Sequence, residues 1–332
     1  MKYTTIIAEI GVNHNGSIEL AKKMIDAAKQ CGADYVKFQT AVPEKLISKR
    51  APKADYQKKT TDSEESQLDM IKKITLPLEA FADLKEYCEK CGIKFMSTPF
   101  DEDSINYLDS IGMPVWKVPS GEVTNLPYLI QIAKTGKPVI MSTGMCTMDD
   151  ITAALDVLRE NGTKQITVLH CTTEYPAPID EVNLHAMETM KDELQVDVGY
   201  SDHTEGIEVA IAATALGATV IEKHFTLDRN MEGPDQKAST EPDEFSRMIR
   251  SIRNIDRALG SYDKIVSESE MRNITAARKS IVAAKAIRAG EVFTEDNLTT
   301  KRPGDGISPM KWFDVIGQKA KRDFAEDEKV EI

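Results

Sequence analysis

Short apolar runs alternate with longer amphipathic stretches along most of the chain. That alternation predicts a parallel sheet whose strands are joined by crossover helices. The predicted strands are "TTIIAEIG", "YVKFQT", "KFMSTPF", "VWKVPSG", "PVIMSTG", "ITVLHCTTEYP", "VDVGYSDH" and "TVIEKHFT". Between them lie helical patterns such as "SIELAKKMIDAAKQCG", "TMDDITAALDVLRENG" and "EGIEVAIAATALG", several ending on a glycine suited to a left-handed cap. A last helix, "TEPDEFSRMIRSIRNIDRALG", closes on Gly260. Eight strand–helix units fit an α/β fold of the (β/α)8 TIM-barrel type over residues 1–260. No G-x-G-x-x-G follows the first strand, which sets aside a doubly wound sheet.

Two stretches depart from the regular pattern. A polar insert over residues 41–75 follows the second strand, where it reads either as a lid over the mouth or as a solvated loop. After Gly260 comes a charged linker, residues 261–279. The segment 280–332 then carries short β-like pieces and turn residues, which predict a separate small β-rich domain.

Side chains two apart on a strand share a face. This groups Lys37 with Gln39 and Glu222 with His224, and sends Lys223 the other way. Barrel sites lie at the C-terminal strand ends, and that is where the costly polar residues fall. They are Glu9, Lys37, Thr98, Lys117 with Ser120, Ser142, Tyr175, Ser201 with His203, and His224. A charged lysine inside an apolar strand costs several kcal/mol unless it meets an anion or a carboxylate. Lys37 and Lys117, with hydroxyls nearby, therefore predict a phosphate or carboxylate pocket. The alternative is a pair of structural ion pairs with Glu9 or Glu122.

His203 and His224 end the seventh and eighth strands, neighbours in a closed barrel. If they converge, two neutral imidazoles suit Mn²⁺, Co²⁺, Zn²⁺ or Fe²⁺ better than all-oxygen ions, and leave positions open for substrate. The bland reading makes His203 a hydrogen-bonding residue and His224 a satisfied core histidine. His185 reads as a surface residue and His170 as structural. His14, in "GVNHNG", lies on the first loop, where it could touch substrate.

Composition narrows the function classes. A hydrophobic fraction of 41% with 29% charged residues suits a protein with a large core. The formal charge of −12 argues against a nucleic-acid partner. No apolar run is long enough to span a membrane, and the start lacks a signal peptide's features. The five cysteines follow no disulfide framework, so a cytoplasmic location is expected. Cys88 and Cys91 form an isolated C-x-x-C, read as coincidence at a helix end.

Taken in order, "AEIGVNHNGS", "VKFQT", "STPFDEDSI", "KVPSGE", "STGM", "LHCTTEYPAP", "GYSDHT" and "IEKHFTLD…GPD…AS" resemble the sialic acid synthases. The tail "RKSIVAAKAIRAGEVFTEDNLTTKRPGDGISP" is similar to their C-terminal antifreeze-like SAF (β-clip) domain. The resemblance implies a metal-dependent condensation of phosphoenolpyruvate with N-acetylmannosamine, releasing phosphate. The alternative substrate is a 2,4-diacetamido-trideoxy-mannose, which would give a legionaminic acid. It places phosphoenolpyruvate contacts on Lys37, Thr98, Lys117, Ser120, Ser142, Tyr175 and Ser201, and metal ligands on His203 and His224. Glu9, Gln39, Glu122, Glu222 and Asp235 match further acidic or polar site positions. The expected ion is Mn²⁺, with Mg²⁺ or Co²⁺ as alternatives. A homodimer is implied in which each small domain caps the partner's barrel and brings Arg302 to the sugar. Two positions depart from the family pattern: Thr172-Thr173, where some members carry asparagine, and Gln236, where relatives can carry histidine. A Schiff-base pyruvate aldolase with Lys117 as nucleophile, or a non-catalytic sugar-phosphate binder, are the more distant readings.

Overall fold

The computed structural model describes residues 3–53, 57, 58, 61 and 65–332. The described residues fall into two units, 1–260 and 261–332. In the first, eight parallel strands form one sheet: β1 (Thr5–Gly11), β2 (Tyr35–Thr40), β3 (Lys94–Pro99), β4 (Trp116–Val118), β5 (Val139–Ser142), β6 (Ile166–Cys171), β7 (Asp197–Asp202) and β8 (Val220–His224). The ladder runs β3-β2-β1-β8-β7-β6-β5-β4, so the first and last strands of the chain pair as neighbours. This is the barrel the alternation predicts.

The strand pleat sorts side chains into two environments. Outward residues such as Ile6, Phe38, Trp116, Met141 and Ile221 pack against the helix layer, which contributes Met24, Phe81, Leu155 and Met248. Inward, the lower half of the barrel is an apolar plug of Ile7, Met96, Val115, Ile140, Leu169 and Val220. Gly199 completes that layer. A Cβ there would meet the Val220 carbonyl oxygen at 2.4 Å and Leu169 Cδ2 at 2.6 Å. Two residues further along each strand, the inward positions turn polar.

The helices begin and end where the caps dictate. Ser17 accepts from Leu20 N at the start of helix Ile18–Cys31, and Gly32 in the left-handed region (φ 96°) ends it. Thr147 and Asp150 form a capping box on helix Met148–Glu160. Helix Pro242–Ala258 ties the barrel's N-terminal end together: its buried Asp256 accepts from Thr4 Oγ1 at 2.7 Å and from Thr4 N at 3.2 Å.

Among the described residues, the 41–75 insert includes helices Pro43–Leu46 and Gln67–Ile74. Residues 54–56, 59, 60 and 62–64 of it lie outside the described set. No helix among the described residues is long and apolar enough to cross a membrane.

In the second unit, β9 (Ser280–Ala283) and β10 (Leu298–Lys301) pair antiparallel over a small core of Ile281, Ile287, Phe293, Leu298, Phe324 and Val330. The stretch read as a linker is not irregular throughout. Ser267 and Glu270 form a capping box that starts helix Glu268–Ala277.

Candidate active site

The polar upper layer of the barrel surrounds a cavity of about 420 Å³ at the C-terminal strand ends. Register explains why residues remote in sequence meet there. Glu9 lies directly opposite Lys37 on β2 and His224 on β8, Gln39 opposite Thr98, and Ser201 opposite Glu222. Each of these side chains lines the cavity.

Two lysines and two carboxylates form its floor. Lys37 Nζ stands 2.9 Å from Glu9 Oε2 and 3.7 Å from Glu222 Oε1, and donates to Thr98 Oγ1 at 3.0 Å. Lys117 Nζ donates to Ser142 Oγ at 2.6 Å and lies 3.5 Å from the same Glu222 oxygen. Ser201 Oγ donates to that oxygen at 3.1 Å, and Gln39 Nε2 donates to Glu9 Oε1 at 2.8 Å. The lysines do meet carboxylates, Lys37 with Glu9 and both with Glu222 rather than Glu122, and they do so inside one shared hollow.

Charge states follow from this crowding. Burial raises Glu9 to about 7, against the pull of Lys37. Burial acts on Glu222 the same way, but Lys117 and Lys37 outweigh it and hold that carboxyl below its usual range. Lys37 is raised because its two carboxylate neighbours override burial. Lys117 has one close carboxylate and a neighbouring ammonium, so burial prevails and its value falls.

On the other wall, the rings of His203 and His224 lie 5.4 Å apart between centroids, with Tyr175 against both at 4.1 and 5.5 Å. His203 Nδ1 bonds the Thr172 carbonyl at 2.7 Å; a carbonyl only accepts, so Nδ1 carries the hydrogen and Nε2 holds the lone pair when the ring is neutral. Against burial, Cys171 and that carbonyl raise His203 above its ordinary value. Burial, His203 and the lysines hold His224 well below its ordinary value, hence neutral. Its Nδ1 is buried without a hydrogen-bond partner, 3.9 Å from Asp235 Oδ2. Burial raises Asp235 to about 6. An Nε2 that carries the lone pair in neutral His203 and an unpartnered, buried nitrogen on His224 are donors of the kind a divalent ion takes. Among the described residues no group of three or more His, Cys, Asp or Glu is placed to hold one. Protein ligation would therefore rest on these two imidazoles.

Ser120 and Glu122 sit on a single 3₁₀ turn after β4. Gly144 N–H donates to Ser120 Oγ at 2.8 Å, and Glu122 accepts from Asn125 at 2.6 Å while facing the cavity. Thr173 also lines the cavity, and its Oγ1 is buried without a partner. The threonine that departs from the family pattern thus still presents a polar atom to the hollow. Arg302 belongs to the second unit, exposed, with its Nε donating to Ala277 O at 3.0 Å.

Three expectations are corrected or extended. His14 does not reach the cavity: it is fully buried beside Phe38, ring centroids 6.1 Å apart, sealed under the first loop. Cys171 belongs to the site; strand alternation from Leu169 aims it inward, and its Sγ lies 3.7 Å from His203 Nδ1. The insert supplies part of the cavity wall rather than a solvated loop alone, through Leu46, Ile47, Ala51, Gln67 and Ile71 among others. His170 does bond a backbone carbonyl, that of Val182, and His185 is exposed.

The fold and the site define a TIM barrel whose C-terminal mouth carries paired ammonium and carboxylate groups, the end where barrel enzymes hold their active sites. The chain belongs to the NeuB family, whose family profile matches residues 24–264, and it is a synthase-class enzyme; a SAF domain matches residues 278–330. It is 54% identical over 332 residues to an N,N'-diacetyllegionaminic acid synthase of Campylobacter jejuni, covering 99% of each chain. A synthase of the same name from Legionella pneumophila is 43% identical, over 95% of this chain and 89% of that one. The solved N-acetylneuraminic acid synthetase of Leptospira borgpetersenii superposes with a TM-score of 0.74 at 33% identity, covering 82% of this chain and 90% of that one.

Proposed function

We propose that the protein condenses phosphoenolpyruvate with 2,4-diacetamido-2,4,6-trideoxy-mannose and water, giving N,N'-diacetyllegionaminate and phosphate. The observation that carries the reading is the shared floor of Lys37, Lys117 and Glu222, with two imidazoles on the adjoining wall. The choice of sugar rests on the 54% identity over nearly the whole chain, which favours the diacetamido sugar over N-acetylmannosamine.

Lys37 and Lys117, with Thr98, Ser120, Ser142 and Ser201, would bind the phosphate and carboxylate and fix one face of the enol. A divalent ion, Mn²⁺ by the family likeness, would be held by His203 and His224 and would supply Lewis-acid polarisation of the sugar's aldehyde oxygen. The C3 carbon of the enol forms the new bond to the aldehyde carbon, and water adds at C2. Glu222, kept ionised between the lysines, is suited to orient that water, and Glu9, raised to about 7, to exchange a proton near neutral pH. Collapse at C2 then breaks the C–O bond to phosphate and leaves the 2-keto acid. Tyr175 and Asp235 would confine the sugar beside His224. Arg302, brought by a partner subunit in an exchanged homodimer, would complete its binding.

Phosphate release from phosphoenolpyruvate tests this, run against both sugars with and without Mn²⁺. Release that needs the diacetamido sugar and a divalent ion supports the reading. A borohydride-trapped pyruvate adduct on Lys117, without phosphate release, would replace it with a Schiff-base aldolase.

A further inference from the structure

The polar floor accounts for an enol phosphate but leaves the opposite wall unassigned. That wall comes from the insert. In helix Gln67–Ile74, Met70 and Ile74 are buried in the protein, while Gln67 and Ile71, one turn apart, share the face that lines the cavity. Leu46 and Ile47, at the end of helix Pro43–Leu46, continue the same wall.

The wall is anchored. Lys72 pairs with Glu44 at 2.7 Å, joining the two insert helices, and Val42 N donates to Asp101 Oδ2 at 2.7 Å. At Gly16 the first loop touches the helix end directly: a Cβ there would lie 2.9 Å from the Lys73 carbonyl oxygen. A carboxamide beside three branched aliphatic side chains is a surface matched to an acetamido group, whose amide needs a polar partner and whose methyl does not. Ser48, Gln57 and Thr75 add polar groups to the same lining, so the discrimination falls to the aliphatic patch of Leu46, Ile47 and Ile71.

We propose that Leu46, Ile47, Gln67 and Ile71 are the sugar-specificity wall, receiving the C4 acetamido group and the C6 methyl of the acceptor. The inference rests on the diacetamido-sugar reading and assigns its discrimination to named residues. An apolar wall separates substrates by about 10–200-fold for each methylene-sized difference. The wild-type chain should therefore prefer the diacetamido sugar over N-acetylmannosamine in kcat/KM by that order.

The test measures kcat/KM for both sugars, at saturating phosphoenolpyruvate and Mn²⁺, in the full-length wild type and in Ile71→Asn, Leu46→Asn and Gln67→Leu. Each substitution should narrow the preference about tenfold, with the loss falling mainly on the diacetamido sugar and the KM for phosphoenolpyruvate unmoved. A preference that persists unchanged in all three variants overturns the wall while leaving the sugar reading intact. Wild-type preference for N-acetylmannosamine overturns the sugar reading and the wall with it. Should the asparagine variants fail to fold, Ile71→Ser and Gln67→Leu decide by the same ratio.

Discussion

Lys37 and Lys117 converge on a single oxygen: Glu222 Oε1 lies 3.7 Å from one ammonium and 3.5 Å from the other. The pair is buried, so each ammonium is compensated by protein until an anionic substrate arrives. Removing Lys117 leaves Glu9 and Glu222 facing one ammonium, and Glu9, already raised to about 7, takes up the proton that restores balance. Lys117→Met should therefore fold, yet lose the thermal shift that phosphoenolpyruvate gives the wild type. Phosphate release should fall by about a hundredfold or more, the scale of one lost charge-stabilising contact. Differential scanning fluorimetry with phosphoenolpyruvate alone checks this, and an undiminished shift would contradict an anion role for the floor.

Gly144 is held to its identity by Thr173. A Cβ at Gly144 would meet Thr173 Oγ1 at 2.0 Å and Ser120 Oγ at 3.1 Å. Gly144→Ala must displace one or both, and with them the Gly144 N–H bond to Ser120 at 2.8 Å. The KM for phosphoenolpyruvate should rise about tenfold, while overpacking costs about 1–3 kcal/mol of stability. The double variant Gly144→Ala/Thr173→Gly should recover part of that KM; steady-state kinetics on both proteins decides.

Much of this site was legible because a strand's period of two leaves little freedom. Lys223 between Glu222 and His224 had to face outward, where it is buried and bonded to Asp202 at 2.7 Å. The same rule, applied from Leu169, places Cys171 in the cavity; reading it as one of five scattered cysteines hid that signal. The insert's place over the mouth was one of two readings, but which of its residues form the wall was not legible, because no local pattern in 41–75 encodes the approach of Gly16 to Lys73. His14 was misplaced for a similar reason. Its loop carries turn residues that suit an exposed mouth, yet Asn13 donates to Ser239 at 2.8 Å and to Phe225 O at 3.0 Å and draws the loop down. The helix Glu268–Ala277 had a readable start in Ser267 and Glu270, masked by the charge of the surrounding stretch.

His14 gives the fold an acid-sensitive point away from the chemistry. Burial lowers its pKa from 6.5 to about 4, and Gly16 N–H donates to its Nδ1 at 3.1 Å. Between those values the unfolded chain binds the proton and the folded chain does not. The contribution is therefore complete above pH 6.5 and is lost as pH falls through 4. The shift corresponds to about 3 kcal/mol. Urea unfolding from pH 7 to pH 4 should show the wild type losing about that much stability relative to His14→Phe, which keeps a ring against Phe38 and cannot titrate. Parallel stability curves for the two proteins would show that His14 does not titrate differently on folding.

Gln236, the residue that departs from the family pattern, joins the loops on either side of the β1–β8 seam. It is fully buried; its Nε2 donates to Asn13 O at 2.9 Å, and its Oε1 accepts from Thr226 Oγ1. The preceding residue is Asp235, beside His224, and Ser239 Oγ donates to the Asp235 carbonyl at 2.7 Å, so the amide helps fix where that carboxyl points. Gln236→Glu keeps the size and the acceptor but cannot donate to Asn13 when ionised. One buried carbonyl is left unsatisfied, which costs about 1–3 kcal/mol. Thermal unfolding should show that loss. Turnover should fall with the KM for the sugar raised, while the thermal shift caused by phosphoenolpyruvate stays at its wild-type size, because Lys37 and Lys117 lie on β2 and β4 rather than on this loop. A variant that lost the phosphoenolpyruvate response as well would show that the two halves of the cavity are not independent.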